Sequence, residues 1–276
     1  MRSLAKINLD LRVLGKRPDG FHNIRTIFQT ISLADTIDID YAPARRLEVM
    51  LDSKPSIPGN LVEKAAEALA IAGRFTIRLI KRIPMGAGLG GGSSNAAAML
   101  LAIPALTGKK VALKELVKLG AQLGSDVPFF LLGGTALGLD RGTELYPLPD
   151  VPQFPALIVA PGIHVSTAEA YRALQRGPDR GQTAMENESP ANDFESVVFR
   201  LHPELKKIKG RLQKSGADLV LMSGSGSSVF GIFAGAETRD AAAASFEHDA
   251  VFRVSLVGRT RYRSLWRRQI GSLPDW

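Results

Sequence analysis

The sequence predicts an α/β chain in two domains, and three features predict it. A strand-like alternation opens the chain, with Ala5, Ile7, Leu9, Leu11 and Val13 spaced by Lys6, Asn8, Asp10 and Arg12. Five glycines crowd residues 86–92, between a strand pattern at Phe75–Ile80 and a helix pattern at Asn95–Leu106. A proline-rich stretch (Pro147, Pro149, Pro152, Pro155) then parts two halves, 1–150 and 151–276, each long enough for a domain.

In order along the chain, the opening strand meets a turn at Gly15–Gly20, where Pro18-Asp19-Gly20 carries the turn chemistry. A second strand over 23–31 would complete a hairpin. Asn60-Leu61-Val62-Glu63 has the chemistry of a helix start, and Gly73 is its expected stop. After the glycine run come a helix ending near Gly108, a second over Leu113–Leu123 ending at Gly124, and an apolar run Val127–Leu132 broken by Gly133-Gly134. The second half reads as a strand over Ala156–Ala160 and a helix from about Thr167. A polar loop over Pro178–Pro190 and a helix cap at Asn192–Glu195 follow. Two strands, Leu219–Met222 and Val229–Phe233, then flank Ser223–Ser228.

The composition narrows the function. Hydrophobic residues make up 45% of the 276 and charged residues 22%, as in an ordinary globular protein. Cysteine is absent, which removes disulfides, thiolate metal sites and cysteine nucleophiles. No run of roughly 18 apolar residues marks a membrane span, and the N-terminus lacks the apolar centre of a signal peptide, so the cytoplasm is the expected compartment. Net charge is +8, which suits anionic ligands, nucleotide or nucleic acid. Arg259, Arg261, Arg263, Arg267 and Arg268 crowd the C-terminus and read as a solvated basic tail, since no aromatic platform repeats beside them.

The run Pro84-Met85-Gly86-Ala87-Gly88-Leu89-Gly90-Gly91-Gly92-Ser93-Ser94 is the strongest functional signal. Glycines let backbone N–H groups approach a ligand, and the helix that follows adds a positive end, so the run reads as a phosphate cradle. Ser93 and Ser94 would cap that helix or offer hydroxyls to phosphate or Mg²⁺. Gly86-x-Gly88-x-x-Gly91 matches a dinucleotide fingerprint only formally, because no acidic residue follows at the required distance. The Gly-Lys-Ser/Thr of a P-loop is missing.

This run resembles the ATP loop of the GHMP kinase superfamily. Ala5-Lys6-Ile7-Asn8-Leu9, the block Gly15–His22, Gly124-Ser125-Asp126-Val127-Pro128-Phe129 and Ser223-Gly224-Ser225-Gly226 resemble one branch of it in order and spacing. The resemblance spans nearly the whole chain. It implies an α/β fold of two lobes, ribosomal-protein-S5-like then ferredoxin-like, with ATP and Mg²⁺ in the cleft between them. The implied acceptor is a cytidine-diphosphate-linked methylerythritol, with no nucleic acid or membrane partner and a monomer or homodimer as the working form.

The same resemblance implies that Lys6 and Asp126 are catalytic and that Asn8 faces the acceptor. Residues alone leave rival readings open: the solvent face of an edge strand for Lys6 and Asn8, an N-cap for Asp126. It implies that His22 bonds cytosine, that Phe21 and Tyr171 sandwich that ring, and that Phe28 and Thr167 complete the pocket. By residue type alone, His22 reads first as a surface residue in a turn. Asn60 reads first as a helix cap, and the resemblance adds a place near adenine. The family usually carries Tyr at Phe21 and Gly-x-Gly-Glu where this chain has Arg141-Gly142-Thr143-Glu144. Other alcohols as acceptor, a basic nucleic-acid-binding protein and a nicotinamide dehydrogenase remain the rivals.

Overall fold

In the computed structural model the opening alternation becomes β1 (Arg2–Lys16), which turns and returns as β2 (His22–Ala42). The structure describes residues 1–174, 189–247 and 249–271. Of the polar loop expected over Pro178–Pro190, only residues 189 and 190 fall within these. The turn is held by Arg17, which donates to Asp19 (3.1 Å) and Asn23 (3.0 Å) and pairs with Asp140.

β2 runs well past the strand expected over 23–31 and organises the first sheet. Its first half holds β1 on one edge and β5 (Thr135–Leu139) on the other. Its last residues, Thr36–Ala42, pair with β4 (Gly73–Ile80). β3 (Leu47–Lys54), which the sequence reading missed, adds in parallel to β4, and β6 (Glu144–Pro147) pairs with β5.

Helices α1 (Leu61–Leu69), α2 (Gly91–Thr107), α3 (Leu113–Leu123) and α4 (Val127–Leu132) belong to this lobe. Gly108, Gly124 and Gly133 end the last three, as their positions predict. α1 departs from expectation. It stops at Ala70 in the left-handed region (φ +51°), and Gly73 instead opens β4. Phe75, Ile77, Leu100, Phe129 and Phe130 meet in one core between α2, α4 and the sheet.

The second lobe runs β7 (Pro155–Ala160), α5 (Thr167–Leu174), α6 (Glu195–Leu201), α7 (Pro203–Lys214), β8 (Leu219–Met222), β9 (Val229–Ile232), α8 (Ala236–Ala243) and β10 (Ala250–Ser255). Its antiparallel sheet has the order β10-β7-β9-β8, which with the helical crossovers is the ferredoxin-like arrangement. The α/β architecture of an S5-like and a ferredoxin-like lobe thus agrees with the sequence reading.

The period of two in β7 explains how the lobes join. Leu157 and Val159 pack toward the helices of their own lobe, while Ala156 and Ile158 face Ala5, Ile7, Ile31 and Leu33 of β1 and β2. Each large apolar side chain fully buried there contributes about 1.5–3 kcal/mol.

The arginine-rich C-terminus is not a solvated tail. It forms α9 (Arg259–Ile270), which returns to the first lobe and buries Tyr262 and Trp266 to 1% exposure. The expectation failed because two aromatics at helical spacing outweigh the charge around them. Tyr262 Oη donates to Phe130 O (2.5 Å), and Arg259 donates to Thr135 O while its N–H meets Asp150 (2.6 Å).

Candidate active site

β1 is buried on both faces along most of its length, so its polar side is not a solvent face. Lys6 is 3% exposed and Asn8 1%. Lys6 Nζ donates to Asn8 Oδ1 (2.8 Å) and lies 5.5 Å from the centre of the Phe28 ring. Asn8 Nδ2 donates to Thr26 Oγ1 (2.8 Å), whose hydroxyl donates to Asp10 O (2.7 Å). This chain fixes which way the Asn8 amide points. Thr26 went unread in the sequence, because only the pairing of β1 with β2 brings it to Asn8.

Asp126 occupies the N-cap position of α4 but makes no capping bond. Its carboxylate, 31% exposed, instead meets Lys6 Nζ at 3.3 Å. A buried lysine thus stands between a carboxylate and an amide, both of which orient it.

The glycine run, between β4 and α2, closes over this pair. Gly86, Gly88 and Gly90 line the cleft with φ of +65°, +79° and +69°, values that favour glycine. Ala87 and Leu89, between them, are buried and anchor the loop. Three positions of the run leave no room for a side chain, Gly88, Gly90 and Gly91, where a Cβ on the last would sit 2.9 Å from Ile83 Cγ2. A Cβ on Gly88 would sit 2.0 Å from Ser223 O, and one on Gly90 2.9 Å from the Phe130 ring and 3.1 Å from Lys6 Cγ. Leu89 O accepts from Lys6 N (3.0 Å), and Gly88 O from Ser223 Oγ (2.9 Å). The Ser223–Gly226 segment therefore packs on the glycine loop. Asn192 Nδ2 holds it from behind by donating to Met222 O (2.7 Å) and Gly224 O (2.8 Å).

Pro84 and Met85 lead into the loop, with Met85 58% exposed. Gly90 is the N-cap of α2, so neither Ser93 nor Ser94 caps it as expected. Ser94 is fully buried and its hydroxyl is committed to Leu4 O (2.6 Å) and Ser3 (2.7 Å). Of the two serines proposed for phosphate or Mg²⁺, only Ser93 keeps an accessible side chain. Asn60 caps α1 through Val62 N (3.1 Å), with its Nδ2 buried and unpartnered. Leu61, beside it, is 3.6 Å from where a Cβ on Gly92 would stand, so the cap adjoins the exit of the loop.

At the other end of the cleft, His22 stacks on Tyr171 (centroids 4.6 Å apart, planes 20° apart). Phe21 is 52% exposed, with the Arg141 guanidinium 4.6 Å above its ring. Both rings expected to sandwich a base thus already carry a protein partner, and they do not stack on each other. Arg141 and His164 line the cleft unforeseen. Each lies on a loop that only the fold brings to the site. Burial and the nearby Lys16 hold the His22 imidazole below its usual range. Burial, with Asp126 adding to it, pushes the Tyr171 phenol up to about 12, so it stays protonated. Thr167 Oγ1 meets Ser225 Oγ (2.8 Å) and ties α5 to the Ser223–Gly226 segment. Phe28 is 1% exposed, stacks on Phe129 (4.9 Å) and lines the cleft as a floor beside Lys6.

The whole cleft holds about 1080 Å³. Lys6, Lys16, Arg141 and Arg172 line it, with Asp126 the one carboxylate among its described lining residues, so it suits a polyanion. The described residues contain no group of three or more His, Asp or Glu able to hold a metal. Ser93, at the start of α2, has the accessible hydroxyl that would fit an ion carried in by nucleotide phosphates.

Comparison with known proteins agrees with this geometry. Residues 60–134 match the model of the GHMP kinases N terminal domain, and 170–250 that of the GHMP kinases C terminal. The 4-diphosphocytidyl-2-C-methyl-D-erythritol kinase of Solibacter usitatus is 53% identical, covering 97% of this chain and 92% of the relative. That of Moorella thermoacetica is 43% identical over 85% and 90%. A crystal structure of 4-(cytidine 5'-diphospho)-2C-methyl-D-erythritol kinase superposes with a TM-score of 0.81 at 38% identity, covering 94% of this chain and 99% of the other. The chain belongs to the GHMP kinases, and within them to the 4-diphosphocytidyl-2-C-methyl-D-erythritol kinase family.

Proposed function

We propose that the protein moves the γ-phosphoryl group of ATP to the 2-hydroxyl of 4-diphosphocytidyl-2-C-methyl-D-erythritol, in the cytoplasm, as a step of the non-mevalonate route to isoprenoid precursors. The observation that carries this reading is the 3.3 Å meeting of Lys6 and Asp126 beside a loop of left-handed glycines. Residues 1–150 would form the N-terminal, ATP-binding domain, which also carries Lys6, Asp126 and His22, and 151–276 the C-terminal domain, which adds Thr167 and Tyr171 to the cleft.

The acceptor hydroxyl gives its proton to the Asp126 carboxylate as its oxygen bonds to the γ-phosphorus. The bond from that phosphorus to the bridging oxygen breaks, and ADP leaves. Lys6 offsets negative charge on the attacking oxygen and the transferring group, and Asn8 holds the ammonium in line. The N–H groups of residues 86–92 cradle the triphosphate, with Asn60 toward adenine. Ser93 would offer its hydroxyl to a Mg²⁺ ion brought in with ATP, which would supply charge neutralisation at the phosphate oxygens. Neutral His22 offers cytosine one donor and one acceptor, with Phe21 and Tyr171 flanking the ring, Phe28 below and Thr167 at the rim.

The test is a coupled ADP-release assay over a panel of acceptor alcohols. Turnover with the cytidine-linked methylerythritol, and none with homoserine or mevalonate, is expected. Turnover with another alcohol and no affinity for CDP would refute the acceptor.

A further inference from the structure

Beneath the glycine loop lies a buried polar cluster that the transfer scheme does not use. The Asp35 side chain, on β2, is fully buried, and Lys81 at the end of β4 is 6% exposed. Asp35 Oδ1 accepts from the N–H groups of Arg82 (2.7 Å) and Ile83 (2.9 Å). Asp35 Oδ2 pairs with Lys81 and accepts from Asn95 Nδ2 (3.0 Å). Lys81 also donates to Asn95 Oδ1 (3.0 Å), and Asn95 Nδ2 reaches Ser3 Oγ (3.0 Å).

We propose that Asp35, Lys81 and Asn95 are positioning residues for the nucleotide. The inference rests on the reading that residues 84–94 bind ATP. Every strut of the cluster ends on a residue that borders that site or on the strand that carries Lys6. Arg82 and Ile83 are the last residues before the loop, so their two bonds to one carboxylate set the direction in which the chain enters it. Asn95 is the fifth residue of α2, directly after the run leaves into the helix. Ser3, bonded to Asn95 and to Ser94, lies on β1 just ahead of Lys6. Lys81 Nζ also stands 3.1 Å from where a Cβ on Gly91 would be, filling the space under the loop's last turn.

Core stability alone does not call for this arrangement. A buried ion pair is often no better for stability than apolar side chains of the same volume, because desolvation offsets the attraction. What the pair supplies is direction. One carboxylate and one ammonium fix the entry and the exit of the phosphate loop, and the strand bearing Lys6, against a single point. Among the described residues, the cluster's hydrogen bonds reach none at the cytidine end of the cleft. Its loss should therefore weaken nucleotide binding selectively.

The test compares wild type with the charge-free double variant Asp35→Asn/Lys81→Met and with Asn95→Ala, which leaves the ion pair in place. Calorimetry measures binding of a non-hydrolysable ATP analogue with Mg²⁺ and, separately, of CDP. We expect the analogue to bind about tenfold or more weaker in both variants, since loop misplacement of this kind acts through geometry. CDP should hold within about twofold, and KM for ATP should rise while KM for the acceptor does not. Should the double variant fail to fold, Asn95→Ala decides alone. Unchanged analogue affinity in a folded variant overturns the inference and leaves the site reading intact. So does loss of both ligands in parallel with melting temperature. Wild type that binds CDP but no ATP analogue overturns the site reading, and this inference with it.

Discussion

Lys6 Nζ and Asp126 Oδ2 stand 3.3 Å apart, one on the first strand and the other at the head of a short helix late in the same lobe. Asp126 sits where a cap would sit and caps nothing. Asp126→Asn should keep the fold, since Lys6 retains Asn8 as acceptor, and should lower kcat by at least about a hundredfold, the scale of a lost general base. Lys6→Met should cost a similar factor. The double variant should lose little more than either single one, because the two act as a unit. Steady-state rates beside melting temperatures check this, and near-normal turnover in Asp126→Asn would exclude it as the base.

Gly88→Ala should disable the nucleotide site. Its new methyl would land on Ser223 O, so the loop or the Ser223–Gly226 segment must move. Gly86→Ala meets only His164 Nδ1, at an ordinary contact distance of 3.6 Å, and carries the strain of a positive φ, of the order of 1 kcal/mol. Nucleotide affinity should fall in the order wild type, Gly86→Ala, Gly88→Ala. Equal affinities in the two variants would show that the contact with Ser223 does not matter.

His22 predicts a pH dependence with a definite sign. Its folded-state pKa lies below the ordinary 6.5, so the imidazole is neutral at pH 7. The stability linked to this shift is present above pH 6.5 and is lost as pH falls through the lower, folded value. CDP affinity should follow the same course, level at neutral pH and declining on the acid side of 6.5. In His22→Asn, which keeps a donor and an acceptor, the acid-side decline should vanish. A decline that persists there would assign it to another group.

Tyr171 should act through its ring. Its hydroxyl, pushed up to about 12, stays protonated across the working range, so acceptor KM should not change between pH 7 and pH 10 on its account. Tyr171→Phe should bind CDP nearly as wild type does, and Tyr171→Ala about tenfold more weakly, the value of one stacking contact. Calorimetric titration separates the two.

Trp266→Ala should cost about 3–5 kcal/mol of unfolding free energy, as for other large core truncations. Tyr262→Phe should cost about 1–3 kcal/mol by leaving Phe130 O unpaired. Urea midpoints measure both. Values near zero would return α9 to the status of an appendage.

Much of this was legible beforehand. The glycine stops at 108, 124 and 133, the strands beside Ser223–Ser228 and the helix from Thr167 all follow from local chemistry. Local chemistry also misled at three places. Gly73 looks like a helix stop, yet α1 ends earlier on Ala70, which no propensity favours. The alternation Ile37, Ile39, Tyr41 carries β2 past residue 31, though intervening charges obscure it. Arg259–Arg268 read as a charge run because Tyr262 and Trp266 acquire meaning only once Gly133 leaves room for a ring. At the site, Lys6, Asn8 and Asp126 were named from a resemblance. Thr26, Arg141 and His164 carry no signature of a site role in one dimension, and Asn192 reads there only as a helix cap, since each matters through a neighbour supplied by pairing or by a loop from elsewhere.

The apolar seam of Ala5, Ile7, Ile31 and Leu33 against Ala156, Ile158, Leu221 and Phe230 has a mechanical consequence. Two bodies glued across such a surface do not swing like jaws, so admission and release of ligands fall to side chains such as His22 and Arg141 at the rim. The halves should also melt together, in one heat-absorption peak, and neither should remain in solution when expressed without the other.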